Sequence, residues 1–324
     1  MRNQAFEIIT FTMNPAVDTF GETEQIFDDS KSRCEQSSQE PGGGGINVAR
    51  NITRMGTPAL AIFPAGGLNG ELLQQLLARD NTPFQAIPIT ADTRQNLAIT
   101  ERCSGKMYHF VFPGPTITAT ELAAIRSALL AREAKPKFLV LSGSLGTSVP
   151  ADFFGEITRT ASKQGIKVAL DSSGQALTGA LHCGAYVAKL NRKEFASLGY
   201  TDHENIPQLF AEMQEQINAG AVKNLIVTLA KGGALLITET NQRYAFMPPA
   251  HEIVSHVGAG DSFMSALVFR LHQGLPIEQA FRYGVAAASV TVQSKGNQLY
   301  DLAKLEQTYL ATYELPQVTD IKPS

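Results

Sequence analysis

The first segment able to do chemistry is VGAGDS, residues 257–262, which opens a strongly apolar helical stretch. Small residues at Gly258, Ala259 and Gly260 let backbone N–H groups approach an anion, and a helix N-terminus adds partial positive charge. Asp261 in this turn is placed to take a proton from an attacking hydroxyl, a pattern that suits phosphoryl transfer. The alternative is an ordinary helix start with Asp261 as its cap.

The second segment is PGGGGIN, residues 41–47, which precedes another helical pattern. Four consecutive glycines are entropically costly unless a ligand or another segment must approach the backbone closely. Backbone amides here and the Asn47 side chain are therefore suited to binding substrate hydroxyls, and the alternative is a flexible loop. Neither segment contains GxGxxG and the chain has no GxxxxGK[ST] loop, which excludes the two common nucleotide-binding motifs.

The elements that must position these segments predict an α/β fold. Apolar runs rich in β-forming residues alternate with amphipathic helical patterns. The predicted strands are residues 6–13, 58–63, 138–141, 167–170, 186–190 and 224–229. The predicted helices are residues 46–56, 69–80, 151–164, 206–219, 259–273, 277–293 and 302–312. Such alternation indicates a mainly parallel sheet covered on both faces, with ligands bound beyond the carboxyl ends of its strands.

Some predicted strands do not fit this alternation. Residues 95–100 and 107–112 flank Ser104-Gly105 and predict a β-hairpin, and residues 17–40 are polar with weak alternation. We expect these segments to form a separate small sheet. Residues 234–238 and 243–246 predict an antiparallel pair.

Composition narrows the possible functions. The 324 residues are 44% hydrophobic and 18% charged with a net charge of −3, which excludes general disorder and a broad nucleic-acid or anionic-membrane surface. Cys34, Cys103 and Cys183 lie outside any CxxC pattern, which argues against a disulfide framework or zinc site. The interrupted apolar run near the N-terminus is typical of a first strand, and no run approaches the ~18 residues of a membrane span. We expect a cytoplasmic protein.

Taken together, PGGGGINVARNITRMG and VGAGDSFMSAL resemble the two signature segments of the ribokinase-like (PfkB) carbohydrate kinases. AIFPAGG, TRQNL, VLSGSL and VALDSSGQAL extend the resemblance over essentially the whole chain, towards the phosphofructokinase branch. The resemblance implies a ribokinase-like three-layer α/β sandwich. Residues 1–324 would form a single kinase domain, with a small β-sheet lid built from about residues 16–40 and 94–113.

The resemblance also implies a reaction, the transfer of the ATP γ-phosphoryl group to fructose 6-phosphate to give fructose 1,6-bisphosphate. Fructose 1-phosphate and tagatose 6-phosphate remain open as acceptors. Two further alternatives are a kinase of unphosphorylated sugars or nucleosides and a non-catalytic sugar-phosphate sensor. A sensor has no need of the base Asp261, so the presence of Asp261 favours an enzyme.

By resemblance, Asp261 is the catalytic base, and Gly258, Ala259 and Gly260 form the anion hole. The implied substrate-binding positions are Asp18, Lys31, Arg33, Gly43, Asn47, Arg94 and Ser144. Within this set Lys31, Arg33 and Arg94 are assigned to the phosphate of the sugar, a dianion that basic side chains bind strongly. The alternatives are a turn carboxylate for Asp18 and solvated surface charges for the three basic residues.

The implied ATP-binding positions are Lys189, Asn191, Thr228, Ala230 and Gly233. In KLNRKE, residues 189–194, the resemblance assigns Asn191 and Glu194 to Mg²⁺, held through water because Mg²⁺ keeps much of its hydration. The alternative there is a helix N-cap with charged first-turn residues. Leu190 replaces the usual proline of this element, and Ala230 replaces a frequent glycine.

The resemblance further implies a K⁺ site formed by backbone groups of Ser255 and Val257, with Gly296 in a companion loop. His256 replaces a common threonine between them and is interpreted as a neutral or surface histidine rather than a base. Members of the family often dimerise through their lids, so the implied assembly is a homodimer. Its small-molecule partners would be ATP and a phosphorylated hexose.

Overall fold

Two β-sheets organise the chain in the computed structural model, which describes residues 5–230, 232–294, 299 and 301–315. The strands are β1 Ile8–Phe11, β2 Ala16–Thr23, β3 Glu35–Gly42, β4 Ala59–Ala65, β5 Phe84–Pro88, β6 Arg94–Glu101, β7 Met107–Phe110, β8 Phe138–Ser142, β9 Lys167–Asp171, β10 Ala185–Asn191, β11 Val222–Thr228, β12 Ala234–Thr238, β13 Arg243–Met247 and β14 Tyr313–Glu314. The helices are α1 Gly44–Arg54, α2 Gly67–Arg79, α3 Ala119–Leu130, α4 Phe153–Lys163, α5 Gly174–Leu181, α6 Arg192–Ala196, α7 Ile206–Asn218, α8 Ala259–His272, α9 Ile277–Thr291 and α10 Leu302–Ala311.

The large sheet has the strand order β14-β13-β12-β11-β10-β9-β8-β1-β4-β5. From β5 to β11 all neighbours are parallel, whereas β12, β13 and β14 are added antiparallel. The carboxyl ends of the parallel strands therefore meet at one edge of the sheet, where ligands of open α/β folds bind.

Helices cover both faces of this sheet. Alternate residues of β8 point into different cores, because successive side chains of a strand face opposite sides. Leu139 and Leu141 pack with α3, α4, α5 and α7, whereas Phe138 and Val140 pack with α1, α2, α8, α9 and α10. The result is a helix–sheet–helix sandwich, which confirms the predicted three-layer α/β fold.

The small sheet has the order β3-β2-β6-β7 and lies within the spans predicted for the lid, except that β3 continues to Gly42. β2 is parallel to β6, with Ala16 opposite Arg94, and β3 and β7 are antiparallel additions. Only residues 12–15 separate β1 from β2, so this sheet begins at the carboxyl edge of the large one. Its action as a lid on a single domain stays a prediction.

None of the helices in the described part of the chain combines the length and apolar character that crossing a membrane requires.

Candidate active site

Asp261 and Asn47 meet where the N-termini of α8 and α1 converge. Asp261 is the third residue of α8, and its Oδ2 accepts a 2.9 Å hydrogen bond from Asn47 Nδ2. The N-cap of α8 is Gly258, whose left-handed backbone (φ 75°) favours glycine, and within the described residues no side chain caps this helix. The interpretation of Asp261 as a helix cap is therefore wrong, and its carboxylate is available to a ligand.

A second buried contact fixes the same two helices against each other. Asn51 Nδ2 donates to Ser262 Oγ at 3.2 Å, and Asn51 Oδ1 accepts from the Leu299 amide at 3.1 Å. Asn51 and Ser262 are both fully buried. A buried polar group without partners costs about 1–3 kcal/mol, so this bonding favours one relative position of α1 and α8.

The glycine run is packed against functional side chains. A Cβ on Gly42 would overlap the Asp18 carboxylate, and one on Gly44 would overlap the Ser142 hydroxyl and lie 3.1 Å from Asp261 Oδ1. Gly43 is the N-cap of α1 and has φ 122°, a conformation that other residues rarely adopt. The run is thus required by close approach and begins a helix, so the flexible-loop alternative is wrong.

The electrostatic environment of Asp261 is unusual for a carboxyl group. Burial, followed by the negative charge of Asp171, raises its pKa to about 7, while the Asn47 hydrogen bond and Lys189 act in the opposite direction. Lys189 Nζ lies 2.9 Å from Asp171 Oδ1. Burial alone would lower the pKa of Lys189, but Asp171, Glu194 and Asp261 raise it, so this buried lysine stays charged.

A cavity of about 360 Å³ opens directly over Asp261. Predicted site residues among its walls are Ser144, Lys189, Asn191, Glu194, Gly258, Gly260 and Asp261. Gly44 of the predicted glycine segment also lines this cavity, together with residues to which the sequence assigned no role, namely Ser142, Gly143, Asp171, Ser172 and Ser173. Asp171 ends β9, and a polar residue at the carboxyl end of a buried strand was the signal that would have identified it.

A larger cavity of about 630 Å³ adjoins the first and shares Lys189, Asn191 and Gly260 with it. Thr228, Ala230, Gly233 and Ala259, all predicted site residues, also form its walls. Apolar side chains of α8, α9 and the loop before α8 form much of the rest, among them Phe263, Ala288, Val292 and Ile253. A polar cavity beside a more apolar one is suited to a ligand with a charged end and a flat apolar end.

Asp18 and Arg94 lie where the small sheet meets the body of the protein. Asp18 Oδ1 accepts from Asn96 Nδ2 at 2.9 Å, and burial raises the pKa of Asp18. Arg94 donates to the carbonyls of Phe112 and Asn14 at 3.0 and 3.1 Å, and its buried Nε has no partner in the described part of the chain. Asn14 in turn donates from Nδ2 to Ser144 Oγ at 3.2 Å, which links Arg94 to the first cavity.

Lys31 and Arg33 lie elsewhere. Both are exposed and belong to the connection between β2 and β3, at the end of the small sheet remote from Asp18. Asp18 pairs with Glu40, whereas the connection starts beyond Thr23, about 16 Å further along the strand at ~3.3 Å per residue. A single chain therefore does not bring Lys31 and Arg33 to the cavity that contains Asp261.

Asn191 and Glu194 cap the N-terminus of α6, as the alternative to a magnesium site predicted. Asn191 Oδ1 accepts from the Glu194 amide at 2.9 Å, and Glu194 Oε2 accepts from the Asn191 amide at 2.8 Å. Both residues also line the first cavity, and burial raises the pKa of Glu194. A carboxylate can accept several bonds, so capping leaves Glu194 able to bind a cation through water.

Over the described residues, no three His, Cys, Asp or Glu side chains are grouped as a complete metal site. Mg²⁺ commonly uses one or two carboxylates together with water and substrate phosphates, so Asp171 and Glu194, which line the same cavity as Asp261, are a fitting donor set.

The K⁺ site stays a prediction, and two of its three residues are described. Ser255 and Val257 precede the turn of α8, where the Val257 amide donates to Ser255 Oγ at 3.2 Å and the Ser255 amide donates to the Val292 carbonyl at 3.1 Å. Gly296 lies outside the described residues. His256 is exposed and lines the larger cavity.

Comparison with known proteins identifies the family. The sequence model of the pfkB family carbohydrate kinases matches residues 12–303. ATP-dependent 6-phosphofructokinase isozyme 2 of Escherichia coli strain K12 is 38% identical over 293 residues, which are 90% of this chain and 94% of that protein. 1-Phosphofructokinase of Bacillus subtilis strain 168 is 30% identical over 288 residues, 89% of this chain and 93% of that protein.

A crystal structure of phosphofructokinase-2 from Escherichia coli in complex with potassium has a TM-score of 0.88 and 35% identity, covering 94% of this chain and 98% of that one. Other structures of that protein contain substrates and products or show its tetrameric inhibited form. Family match, sequence identity and fold agree over nearly the whole length, and the chain belongs to the pfkB family of carbohydrate kinases.

Proposed function

We propose that this carbohydrate kinase is an ATP-dependent 6-phosphofructokinase that converts fructose 6-phosphate into fructose 1,6-bisphosphate. The observation that carries the proposal is the position of Asp261. This carboxyl group lies at the N-terminus of α8, has its pKa raised to about 7, and lines the cavity that adjoins the apolar one. A base with a pKa near neutrality is well matched to proton transfer at physiological pH. The resemblance to the 6-phosphofructokinase isozyme favours this acceptor.

Asp261 accepts the proton of the sugar's primary hydroxyl as its oxygen attacks the γ-phosphorus. The bond between the γ-phosphorus and the bridging oxygen breaks, and ADP leaves with that oxygen. Backbone N–H groups of Gly258, Ala259 and Gly260 at the start of α8 stabilise the negative charge on the transferring group. Lys189, held 2.9 Å from Asp171, adds positive charge beside Gly260 of the same turn.

ATP occupies the larger cavity, with its base between α9 and the strand end at Thr228 and its phosphates towards Lys189 and Asn191. Asp171, Asn191 and Glu194 are the residues that would hold Mg²⁺ through water. When bound, Mg²⁺ neutralises phosphate charge and orients the γ-phosphoryl group.

The sugar lies on the other side of Asp261, against the glycine run and the small sheet. Asp18 and Asn47 bind its hydroxyls, supported by Gly43 and Ser144. Arg94 binds the sugar's own phosphate through its buried Nε, which bonds to no other group among the described residues. Closure of the small sheet as a lid would exclude water and limit ATP hydrolysis.

The proposed assembly is a homodimer formed through the small sheets. Tyr108, Phe110, Val111 and Phe112 on and after its edge strand β7 are exposed, Val111 to 68%. An unpaired edge strand bearing exposed apolar side chains is a typical contact surface. In such a dimer Lys31 and Arg33, remote from the site of their own chain, are free to approach that of the partner. K⁺ near Ser255 and Val257 is part of the same proposal.

The proposal places the enzyme in the cytoplasm, where ATP and sugar phosphates are available. Three free cysteines, of which Cys34 and Cys103 are exposed, suit a reducing compartment.

The test is ADP release from the purified protein with MgATP and K⁺. The acceptors compared are fructose 6-phosphate, tagatose 6-phosphate, fructose 1-phosphate, fructose and ribose. We expect the highest kcat/KM with fructose 6-phosphate. Preference for another phosphosugar would change the substrate but not the class, whereas activity only with fructose or ribose would contradict the role of Arg94. Sugar-phosphate binding without any turnover would indicate a sensor.

A further inference from the structure

We propose that His251 reads the nucleobase, with its Nε2 accepting a hydrogen bond from the exocyclic amine of adenine. This inference rests on the proposed function, in which the cavity of about 630 Å³ binds ATP. His251 lines that cavity on the loop between β13 and α8. The ligand class it selects is a nucleotide with a 6-amino purine, in preference to one with an oxygen or hydrogen at that position.

The hydrogen bonds of the ring determine which nitrogen carries the proton. Nδ1 lies 2.9 Å from the carbonyl oxygen of Pro249 and 3.2 Å from Ser289 Oγ. A carbonyl oxygen has no proton to donate, so Nδ1 must carry the hydrogen and donate it to Pro249. In the neutral ring Nε2 is then an acceptor, and no group of the described chain bonds to it.

The same contacts orient the ring towards the nucleotide loop. A Cβ placed on Gly232 would lie 3.9 Å from Cε1 of His251, the ring carbon between the two nitrogens. That edge therefore faces the loop that follows β11. With Nδ1 held by Pro249 and Ser289, Nε2 is the ring nitrogen left for a ligand in the cavity that His251 lines.

The surroundings make a single acceptor selective. Ala288 of α9, Val292 directly after that helix and Phe263 of α8 give the cavity apolar walls beside His251. An apolar wall suits a flat purine, and a hydrogen bond in such surroundings competes less with water. Adenine presents a donor amine at position 6, whereas guanine presents an oxygen that would face the lone pair of Nε2. His251 with its proton on Nδ1 thus favours ATP over GTP.

Two variants distinguish a hydrogen bond between His251 and adenine from a purely structural role of His251 in binding Pro249. His251→Gln places an amide oxygen near the position of Nε2 but loses the bond to Pro249. His251→Asn places an amide N–H near the position of Nδ1, which keeps that bond, but does not reach the base. The parent and both variants are assayed with fructose 6-phosphate and ATP, GTP or purine riboside 5′-triphosphate, which has no 6-amino group.

In the parent we expect kcat/KM to be about 3- to 10-fold higher with ATP than with purine riboside triphosphate, the effect of one neutral hydrogen bond, and to be lowest with GTP. His251→Gln retains the preference, and His251→Asn reduces the difference between ATP and purine riboside triphosphate to less than about 2-fold. The reverse order of the two variants, or a parent that uses both nucleotides equally, would overturn the assignment.

Calorimetric binding of ATP and purine riboside triphosphate distinguishes failure of this inference from failure of the proposed function, because it requires no turnover. A parent that binds ATP more tightly but phosphorylates no fructose 6-phosphate supports His251 as the reader and contradicts the proposed reaction. A parent that phosphorylates fructose 6-phosphate while binding both nucleotides equally contradicts only the role of His251. Binding of neither nucleotide contradicts both.

Discussion

Asn47 Nδ2 donates a 2.9 Å hydrogen bond to Oδ2 of Asp261, a residue 214 positions further along the chain. The bond favours the ionised carboxylate and so opposes the rise in the pKa of Asp261 that burial and Asp171 cause. It also joins α1, which carries the glycine run, to α8, which carries the anion-binding turn. One contact thereby links the position of the sugar to the protonation of the proposed base.

Replacing the base tests its assignment. We expect Asp261→Asn to lower kcat by about 10³-fold or more, because general base catalysis contributes up to ~10⁴-fold and the amide cannot accept the proton. Binding of fructose 6-phosphate, measured by calorimetry, should change little. Turnover within a few fold of the parent would show that Asp261 is not the base.

The dependence of activity on pH follows from the pKa of about 7 for Asp261. The ionised base is active, so kcat/KM should decrease as the pH falls below about 7. Asn47→Ala removes a contact that lowers this pKa, so the inflection should move to higher pH. Asp171→Asn removes a charge that raises it, so the inflection should move to lower pH. If the parent, Asn47→Ala and Asp171→Asn all showed the inflection of kcat/KM at the same pH, the ionisation of Asp261 would not be what sets the pH dependence.

The melting temperature should depend on pH, because ionising the buried Asp261 carboxyl group destabilises the folded protein. The pKa of Asp261 in the folded protein lies above its ordinary value, so its ionisation destabilises the fold progressively as the pH rises from about 4 to about 7. Asn at this position carries no charge. We expect Asp261→Asn to melt above the parent at pH 8, with a margin about 2 °C larger than at pH 6. A margin independent of pH would rule out this linkage.

Arg50 should act as a positioning residue for the small sheet. It is buried in α1, donates from Nε to Asp80 Oδ2 at 2.6 Å, and donates from Nη1 to the Pro41 carbonyl at 3.3 Å. Pro41 lies where β3 enters the glycine run. Arg50→Lys loses the forked geometry, so we expect KM for fructose 6-phosphate to rise by about 5- to 10-fold with little change in KM for ATP.

The matched control for Arg50 is Arg54→Lys on the same helix. Arg54 pairs with the same Asp80 at 3.6 Å, so this variant alters the ion pair without altering the bond from Arg50 to Pro41. Equal effects of the two variants on KM for fructose 6-phosphate would show that the contacts with Asp80, and not the bond to Pro41, determine this KM.

Arg94 distinguishes phosphosugars from unphosphorylated sugars. We expect Arg94→Ala to raise KM for fructose 6-phosphate by about 10-fold or more, because a charge-assisted bond to phosphate contributes roughly 1.5–3 kcal/mol. The variant also loses the bonds to Phe112 and Asn14, so a small decrease in Tm is expected. The same assay with fructose, which has no phosphate, serves as the control. An equal loss with fructose and fructose 6-phosphate would indicate that Arg94 only supports the fold.

Much of the fold followed from the sequence. The regular exchange of apolar runs with amphipathic helical patterns indicated the parallel sheet, and the hairpin around Ser104-Gly105 indicated the small one. These signals are local, because strand and helix periodicities are set by backbone geometry over a few residues. The two glycine segments and Asp261 were recognisable for the same reason, since each feature lies within a short stretch of chain.

Other properties of the site were decided only by the tertiary structure, because they depend on residues that are far apart in sequence. The pKa of Asp261 arises from burial and from Asp171, which no local pattern places beside it. Lys31 and Arg33 match a phosphate-binding pattern in sequence, yet the length of β2 carries them away from the site of their own chain. His251 acquires a defined tautomer only because Pro249 and Ser289 contact one nitrogen. Desolvation and charge interactions depend on distance in space, so the chemistry of these groups is decided when the chain has folded.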